Sequence, residues 1–416
     1  MMVVMGGEIE FKGYEQGQGE LLPAFVGDAL DPADPVFFVD DAVEGMDLEP
    51  FERRYSALGE HPFPPRMLLK LWLFAAIAGV YSGREIARRL CWDLRFKYLA
   101  GALRPNFRTI NRFRSDHREA FAAVLLQTVE LARATGLARL GRVAIDGTKQ
   151  RANTSRYKAM SHQRMREAEA QLKDEIAQIL VQIDELNAEE DERYGDDGDG
   201  SGGLPAELQR REQRREKIRA ARRQLEAEKG EKLEDRHQKS FADPEANLMK
   251  TGEKAFAYCY NAQIATSEDG IIVAADLSTS PDDRAQLLPM IDAVKENTGE
   301  DPEVALADTG YLTEENLQTL RRRKQRCLVA VGREGKKPPK WPTGPATQRM
   351  HRLLRLPWAR ELYAHRKTQG ERPFAEIKQR MRFLRFSLRG RLKATGEWNL
   401  VCAAFNLKAV WKAAAA

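Results

Sequence analysis

Two short apolar stretches of the 416-residue sequence end in the same way. Arg142-Val-Ala-Ile-Asp-Gly-Thr-Lys149 and Val304-Ala-Leu-Ala-Asp-Thr-Gly-Tyr311 each place an aspartate directly after a strand-like run. One such residue, taken alone, reads as a strand-ending Asp that caps a turn, here at the Asp146-Gly147 pair. The repetition argues for more. A carboxylate at the mouth of a buried strand is costly unless positive charge sits beside it. Two of them, joined by a downstream glutamate amid basic residues, make a three-carboxylate metal site. Oxygen-only ligation of that kind suits Mg²⁺, or Mn²⁺ in vitro, and suits zinc poorly.

Glu371 and Glu376 compete for the third place. If one helix runs through this region, Glu371, Lys378, Arg382, Arg385 and Arg389 fall within roughly 40° of one another at 100° per residue. Phe374, Ile377, Met381, Leu384 and Leu388 then form a separate core stripe. Glu376 lies on neither face, so Glu371 is chosen and Glu376 held in reserve. A carboxylate sharing a face with four basic residues can bind metal where a phosphate backbone also lies.

The elements that position these residues follow from periodicity. Residues 1–35 are Gly- and Pro-rich and read as an arm. From 36 to 137 the pattern is helical. Pro64-Pro65 open a buried helix through Tyr81, and Ser82 with Glu85 forms a capping box for the next. That helix packs Ile86 and Leu90 inward and turns Arg84, Arg88 and Arg89 outward; a further short helix carries Arg108, Arg112 and Arg114. Short basic helices after a buried one suggest a helix-turn-helix DNA reader, against the plainer reading of solvated arginines. Residues 160–237 differ in composition. Leu172, Ile176, Ile179, Ile183 and Leu186 form an a/d seam, an acidic Gly-rich loop follows at 196–203, and Ile218 and Leu225 lie one heptad apart on a second charged helix. This is an antiparallel helical hairpin inserted into its host. Strands resume at Phe256–Ile264 and Ile271–Leu277 as a hairpin, then helix, strand, helix and strand to Val331, which implies an α/β mixed sheet flanked by helices.

Composition narrows the partners. The net charge is +5, but Arg and Lys crowd 84–114, 209–223, 321–326 and 378–393, which suggests a polyanionic partner, although the 209–223 run reads as a solvated helix face. Cys91, Cys259, Cys327 and Cys402 are scattered, without metal-knuckle or redox spacing, as in a cytosolic protein. No signal peptide is legible, and the longest apolar run, Leu68–Tyr81, is shorter than the roughly 20 residues of a membrane span.

The sequence resembles bacterial insertion-sequence transposases of the DDE type. The likeness is carried by Tyr55-Ser-Ala-Leu-Gly-Glu-His-Pro62, Gly79–Ala87, Asp93–Gly101, Thr109–Arg114, Ile145–Lys149, Tyr260-Asn-Ala-Gln263, Ala307–Tyr311 and Glu371–Lys378, which occur in the family's order. Glu371 and Lys378 keep the family's spacing of six intervening residues, with Tyr363 and Arg366 or Lys367 upstream; Arg372 stands where the family usually has Pro, and Pro373 follows. The resemblance implies an all-α N-terminal domain (36–137) and a ribonuclease H-like catalytic domain (138–159 and 238–412) interrupted by the hairpin (160–237). It further implies catalytic and metal-binding roles for Asp146, Asp308 and Glu371. DNA contacts are expected from Arg84, Arg88, Arg89, Arg108, Arg112, Lys378, Arg382, Arg385 and Arg389. The partners would be the element's terminal inverted repeats and target DNA, bound by a homodimer at the nucleoid. Two metal ions about 4 Å apart would support water attack at the element's end, then attack of the freed 3′-hydroxyl on target DNA. His365 is the one histidine near the carboxylate motifs, and is expected to be structural or a DNA contact. A nuclease of the same fold and a catalytically inactive DNA-binding descendant are the alternatives.

Overall fold

The computed structural model describes residues 25–55, 62–101, 103–194, 206–252, 255–332 and 344–415. The acidic loop, most of the N-terminal arm and the middle of the Tyr55–Pro62 motif lie outside them. At the centre is a six-stranded mixed sheet. Its strands are β1 (Arg142–Arg151), β4 (Asn247–Lys250), β5 (Phe256–Thr266), β6 (Ile272–Ser278), β7 (Val304–Ala307) and β8 (Cys327–Val329), while β2 (Ala159–Ser161) and β3 (Gln238–Ser240) form a separate pair. The order is β4-β5-β1-β7-β8 with β6 also on β5. The β1–β5, β5–β6 and β4–β5 pairs are antiparallel, and β1–β7 and β7–β8 are parallel.

Among the described residues, seven α-helices precede the sheet: α1 (Pro35–Glu44), α2 (Glu49–Glu52), α3 (Pro65–Ile77), α4 (Gly83–Arg89), α5 (Leu94–Ala100), α6 (Phe107–Asp116) and α7 (Ala120–Ala134). The expected capping box is partly realised, since the Ser82 hydroxyl accepts from the Glu85 N–H at 3.4 Å. Helix α3 stops at Ile77, short of the expected Tyr81, because the chain turns at Gly79, whose φ is +74°. These helices share their core with the rest of the chain. Trp72, Phe74, Phe113 and Phe121 share one buried cluster with Tyr258, Tyr260 and Ile264 of the sheet and with Trp398 to Leu407 of the last helix, α14 (Arg391–Ala414).

The hairpin is α8 (His162–Tyr194) and α9 (Ala206–Lys229). Met165, Leu172, Ile218, Ala221 and Leu225 pack as a small core of their own. Ile176 is buried and Ile179 partly so, whereas the side chains of Ile183 and Leu186 fall outside the described residues. A second buried cluster joins β1, β6, β7 and β8 to α10 (Leu287–Thr298), α11 (Glu314–Arg322), α12 (Pro345–Leu353) and α13 (Pro357–Ala375).

Two local expectations are corrected. No turn forms at Asp146-Gly147: β1 runs on to Arg151, because its second half finds a full antiparallel partner in β5, Gly147 opposite Gln263 and Arg151 opposite Cys259. Nor does one helix carry residues 371–389. Helix α13 ends at Ala375, a π-turn covers Glu376–Arg380, and the chain then leaves helical geometry at Arg382, whose φ is +56°. The reason is competition from the sheet, since the Phe386 N–H donates to the Arg151 carbonyl at 2.9 Å and Phe383 and Phe386 are fully buried. Leu384, assigned to the core stripe, is 64% exposed. Glu371 and the arginines at 382, 385 and 389 therefore share no helix face.

Candidate active site

The two aspartates are brought together by strand register. In the parallel β1–β7 pair, Ile145 lies opposite Ala307, so Asp146 and Asp308 follow side by side. There the two strands part. Strand β1 continues, whereas the chain after β7 turns through Thr309–Tyr311, capped by the Asp308 carboxylate, which accepts from the Gly310 N–H at 2.7 Å. One Asp146 oxygen accepts from the Gly147 N–H at 2.9 Å.

Helix α13 passes directly over Asp146 at Gly370. A Cβ at that position would stand 2.9 Å from Asp146 Oδ2 and 3.1 Å from its Cβ, so the approach depends on glycine. One turn earlier, Arg366 reaches both acids: its Nη1 lies 3.8 Å from Asp146 Oδ2 and its Nη2 3.6 Å from Glu371 Oε1. Glu376 turns elsewhere, to Lys408 at 3.0 Å and Lys412 at 3.4 Å on α14. The structure thus brings Glu371 rather than Glu376 towards Asp146. Lys378 is half-buried on the same side of β1, where its ammonium donates to the Thr148 hydroxyl.

Electrostatics record the crowding. Burial pushes the Asp146 carboxyl up to about 6; Arg366 and the Gly147 N–H oppose the shift, while Asp308 and Glu371 add to it. A carboxylate so placed is short of positive charge, and the acids facing it offer oxygen donors alone, a chemistry that fits a hard divalent cation. Among the described residues, no three carboxylate, histidine or cysteine side chains gather closely enough to close around one ion. Arg366 stands between Asp146 and Glu371, which is 54% exposed.

The expected DNA contacts divide by exposure. Arg84 and Arg108 are exposed and lie over the Phe107 ring, 4.7 and 5.8 Å from its centroid. Arg88 and Arg112 are exposed and paired with Glu85 at 2.6 Å and Asp116 at 3.3 Å. Arg89 is mostly covered, between Glu85 and Asp93 and against Trp92. Arg114, on the same short helix as Arg108 and Arg112, is buried and holds Glu397 of α14 at 2.9 Å. Arg382, Arg385 and Arg389 are exposed on the segment after the π-turn, and Arg389 donates to the Asn153 carbonyl at 3.0 Å. His365 is exposed on α13.

Sequence reasoning missed a polar group behind the aspartates. Asp283 accepts from Asn261, Gln263 and Lys149, at 2.6, 3.0 and 3.1 Å. The available signal was Asn261 and Gln263 two residues apart, hence on one face of an otherwise apolar strand.

Comparison with known proteins adds the family. The sequence matches the model of the transposase DDE domain over residues 206–407 and that of the transposase domain DUF772 over residues 25–116. The first match contains Asp308 and Glu371, and Asp146 precedes it. No curated protein and no solved structure matches the chain.

Proposed function

This chain belongs to the insertion-sequence DDE transposases, enzymes that cut and join DNA, and from that premise we propose that Asp146, Asp308 and Glu371 are its catalytic carboxylates. The observation that carries the reading is the pairing of Asp146 and Asp308 at the parting of β1 and β7, under the close approach of α13 at Gly370. The three acids would hold Mg²⁺, with Mn²⁺ as a substitute in vitro. When bound, the ions supply activation of the attacking oxygen and stabilisation of the leaving oxygen in an in-line displacement at phosphorus. Arg366 sets Asp146 against Glu371 and offsets part of their mutual repulsion. Lys378 holds β1 beside the reacting phosphate through Thr148.

The substrate is double-stranded DNA: the element's terminal repeats, then the target, held by a homodimer in the cytoplasm. Among the described residues no helix is long and apolar enough to cross a membrane. Arg84, Arg88, Arg108 and Arg112 give the N-terminal helices an exposed basic surface for end recognition, while Arg89 braces it from within. Arg382, Arg385 and Arg389 supply phosphate contacts beside the catalytic acids.

The decisive experiment uses the full chain with Mg²⁺ and its own element ends. Asp146→Asn is expected to abolish strand cleavage while leaving DNA affinity unchanged. Cleavage at the wild-type rate in that variant removes Asp146 from the site. Arg382→Ala with Arg385→Ala is expected to weaken binding to all duplexes and to flatten the logarithmic salt dependence by up to about 2 units. An unchanged slope puts the DNA on another surface.

A further inference from the structure

The group of polar side chains behind the two aspartates has no part in the reading above. We propose that Asp283 is a positioning residue that, with Gln263, Tyr311 and Asn316, fixes the Asp308 turn against Asp146 and so sets the affinity of the site for its divalent cation. The inference rests on the assignment of Asp146 and Asp308 as metal ligands.

Asp283 lies between the end of β6 and the short 3₁₀ turn Arg284–Gln286. Its Oδ1 accepts from the Asn261 amide at 2.6 Å, the Gln263 amide at 3.0 Å and the Lys149 ammonium at 3.1 Å. Gln263 passes the connection on, because its amide also donates to Asn261 at 3.0 Å and its carbonyl accepts the Tyr311 hydroxyl. Tyr311 closes the turn that begins at Asp308. A second link runs beside the first. The Asn316 amide donates to the Arg284 carbonyl at 2.7 Å and to the Tyr311 carbonyl at 3.0 Å. The segment carrying Asp283 is thus tied twice to the segment carrying Asp308.

Two glycines mark how close this network comes to the acids. A Cβ on Gly147 would overlap the Gln263 amide and stand 3.1 Å from Asp283 Oδ1. A Cβ on Gly310 would stand 2.9 Å from Asp308 Oδ1 and 3.4 Å from Asp283 Oδ2. Each aspartate is one or two residues from the network, which therefore sits directly behind the proposed ligands. Asn261, Gln263 and Tyr311 are buried. Buried polar groups are costly unless satisfied, and a satisfied set is stiff. Here that stiffness falls where it can govern ligand spacing, as the outer partners of metal ligands commonly do.

A purely structural role would lower stability without touching metal affinity, so the two are separable. The measurement is Mn²⁺ binding to the full chain by calorimetry in the absence of DNA, with melting temperature and DNA affinity measured alongside. Asp283→Asn keeps the shape of the hub, and Tyr311→Phe removes only the hydroxyl at its far end. Each is expected to raise the Mn²⁺ dissociation constant about 10- to 100-fold while DNA affinity stays at the wild-type value. Thr128→Ala, which breaks a buried 3.1 Å bond to Asn406 between α7 and α14, is expected to lower the melting temperature and leave Mn²⁺ affinity unchanged. Wild-type Mn²⁺ affinity in folded Asp283→Asn or Tyr311→Phe overturns the proposal. Asp146→Asn separates the two levels: if it loses Mn²⁺ binding while the network variants keep it, only the positioning role fails. If Asp146→Asn itself binds Mn²⁺ as the wild type does, the ligand assignment beneath it fails.

Discussion

Helices α14 and α9 have the same length, 24 residues, and opposite surroundings. Helix α14 buries 14 residues on nearly all sides, because it is wedged between α3 and α7 on one hand and β6 on the other. Helix α9, among its described side chains, buries Leu208, Ile218, Ala221 and Leu225 and is otherwise mostly charged. The first is a shared spine that joins the N-terminal helices to the central sheet. The second is half of a projection that touches its partner α8 along a narrow seam, edged by ion pairs such as Arg211–Glu175 at 2.9 Å and Arg222–Glu169 at 3.0 Å. Damage at α14 should therefore be felt by the whole molecule. Damage in the hairpin should stay there.

The largest effect is expected at Glu397. This fully buried carboxylate of α14 is held by Arg114 Nη1 at 2.9 Å, the Ser387 hydroxyl at 2.6 Å and the Leu388 N–H at 2.9 Å. The Arg114 guanidinium in turn lies 4.1 Å from the Trp72 ring centroid. Glu397→Ala strands Arg114 without its counter-charge and should cost about 3–5 kcal/mol in global stability, read by denaturant unfolding of the full chain. Hydrogen exchange should then rise together in the N-terminal helices and in the sheet. If only the N-terminal helices loosened, α14 would not be a common spine.

A smaller and confined effect is expected in the seam. Ile218→Ala removes a fully buried side chain from a core of few residues. Its cost should sit near the low end for such changes, about 2 kcal/mol, because the surrounding helices can close on the gap. Exchange should accelerate in α8 and α9 while Mn²⁺ binding and strand cleavage keep their wild-type values. A change in cleavage would mean that the hairpin is coupled to the acids.

The same contrast explains what the sequence could disclose. Strands β1 and β7 were legible because a short apolar run ending in Asp depends on neighbours along the chain, and the α8–α9 seam was legible because its spacing is local. Misreadings arose where distant segments decide. The Asp146-Gly147 turn yields to pairing with β5, and the helix expected through Arg389 yields to the Arg151–Phe386 bond, contacts more than a hundred residues apart. Arg114 looked like its neighbours Arg108 and Arg112, and nothing local to α6 announces Glu397. In the site, the two aspartates stood out through their repeated setting. Asp283 did not, since its meaning comes from Asn261, Gln263 and Lys149, which only folding brings to it.

The smallest effect separates the hairpin's electrostatics from its seam. At its base His162 is buried, with Nε2 3.0 Å from Glu226 and Nδ1 3.1 Å from Asp235. Hydrogen bonds to Glu226 and then Asp235 raise its pKa above 6.5, against the effect of desolvation. A histidine whose pKa is higher folded than unfolded stabilises the fold fully below the unfolded value, near 6.5, and loses that contribution as pH rises through the folded one. Asp235 is 61% exposed and Glu226 36%, so solvent screens the pairing and the contribution should stay below about 1 kcal/mol. Exchange in α8 and α9 should therefore quicken as pH is raised above about 6.5, after correction for intrinsic rates. His162→Gln should remove that dependence without moving the unfolding of the sheet. If the variant kept it, the pH response would belong to another group; if the sheet moved with it, the hairpin would not be the separate unit that its small core implies.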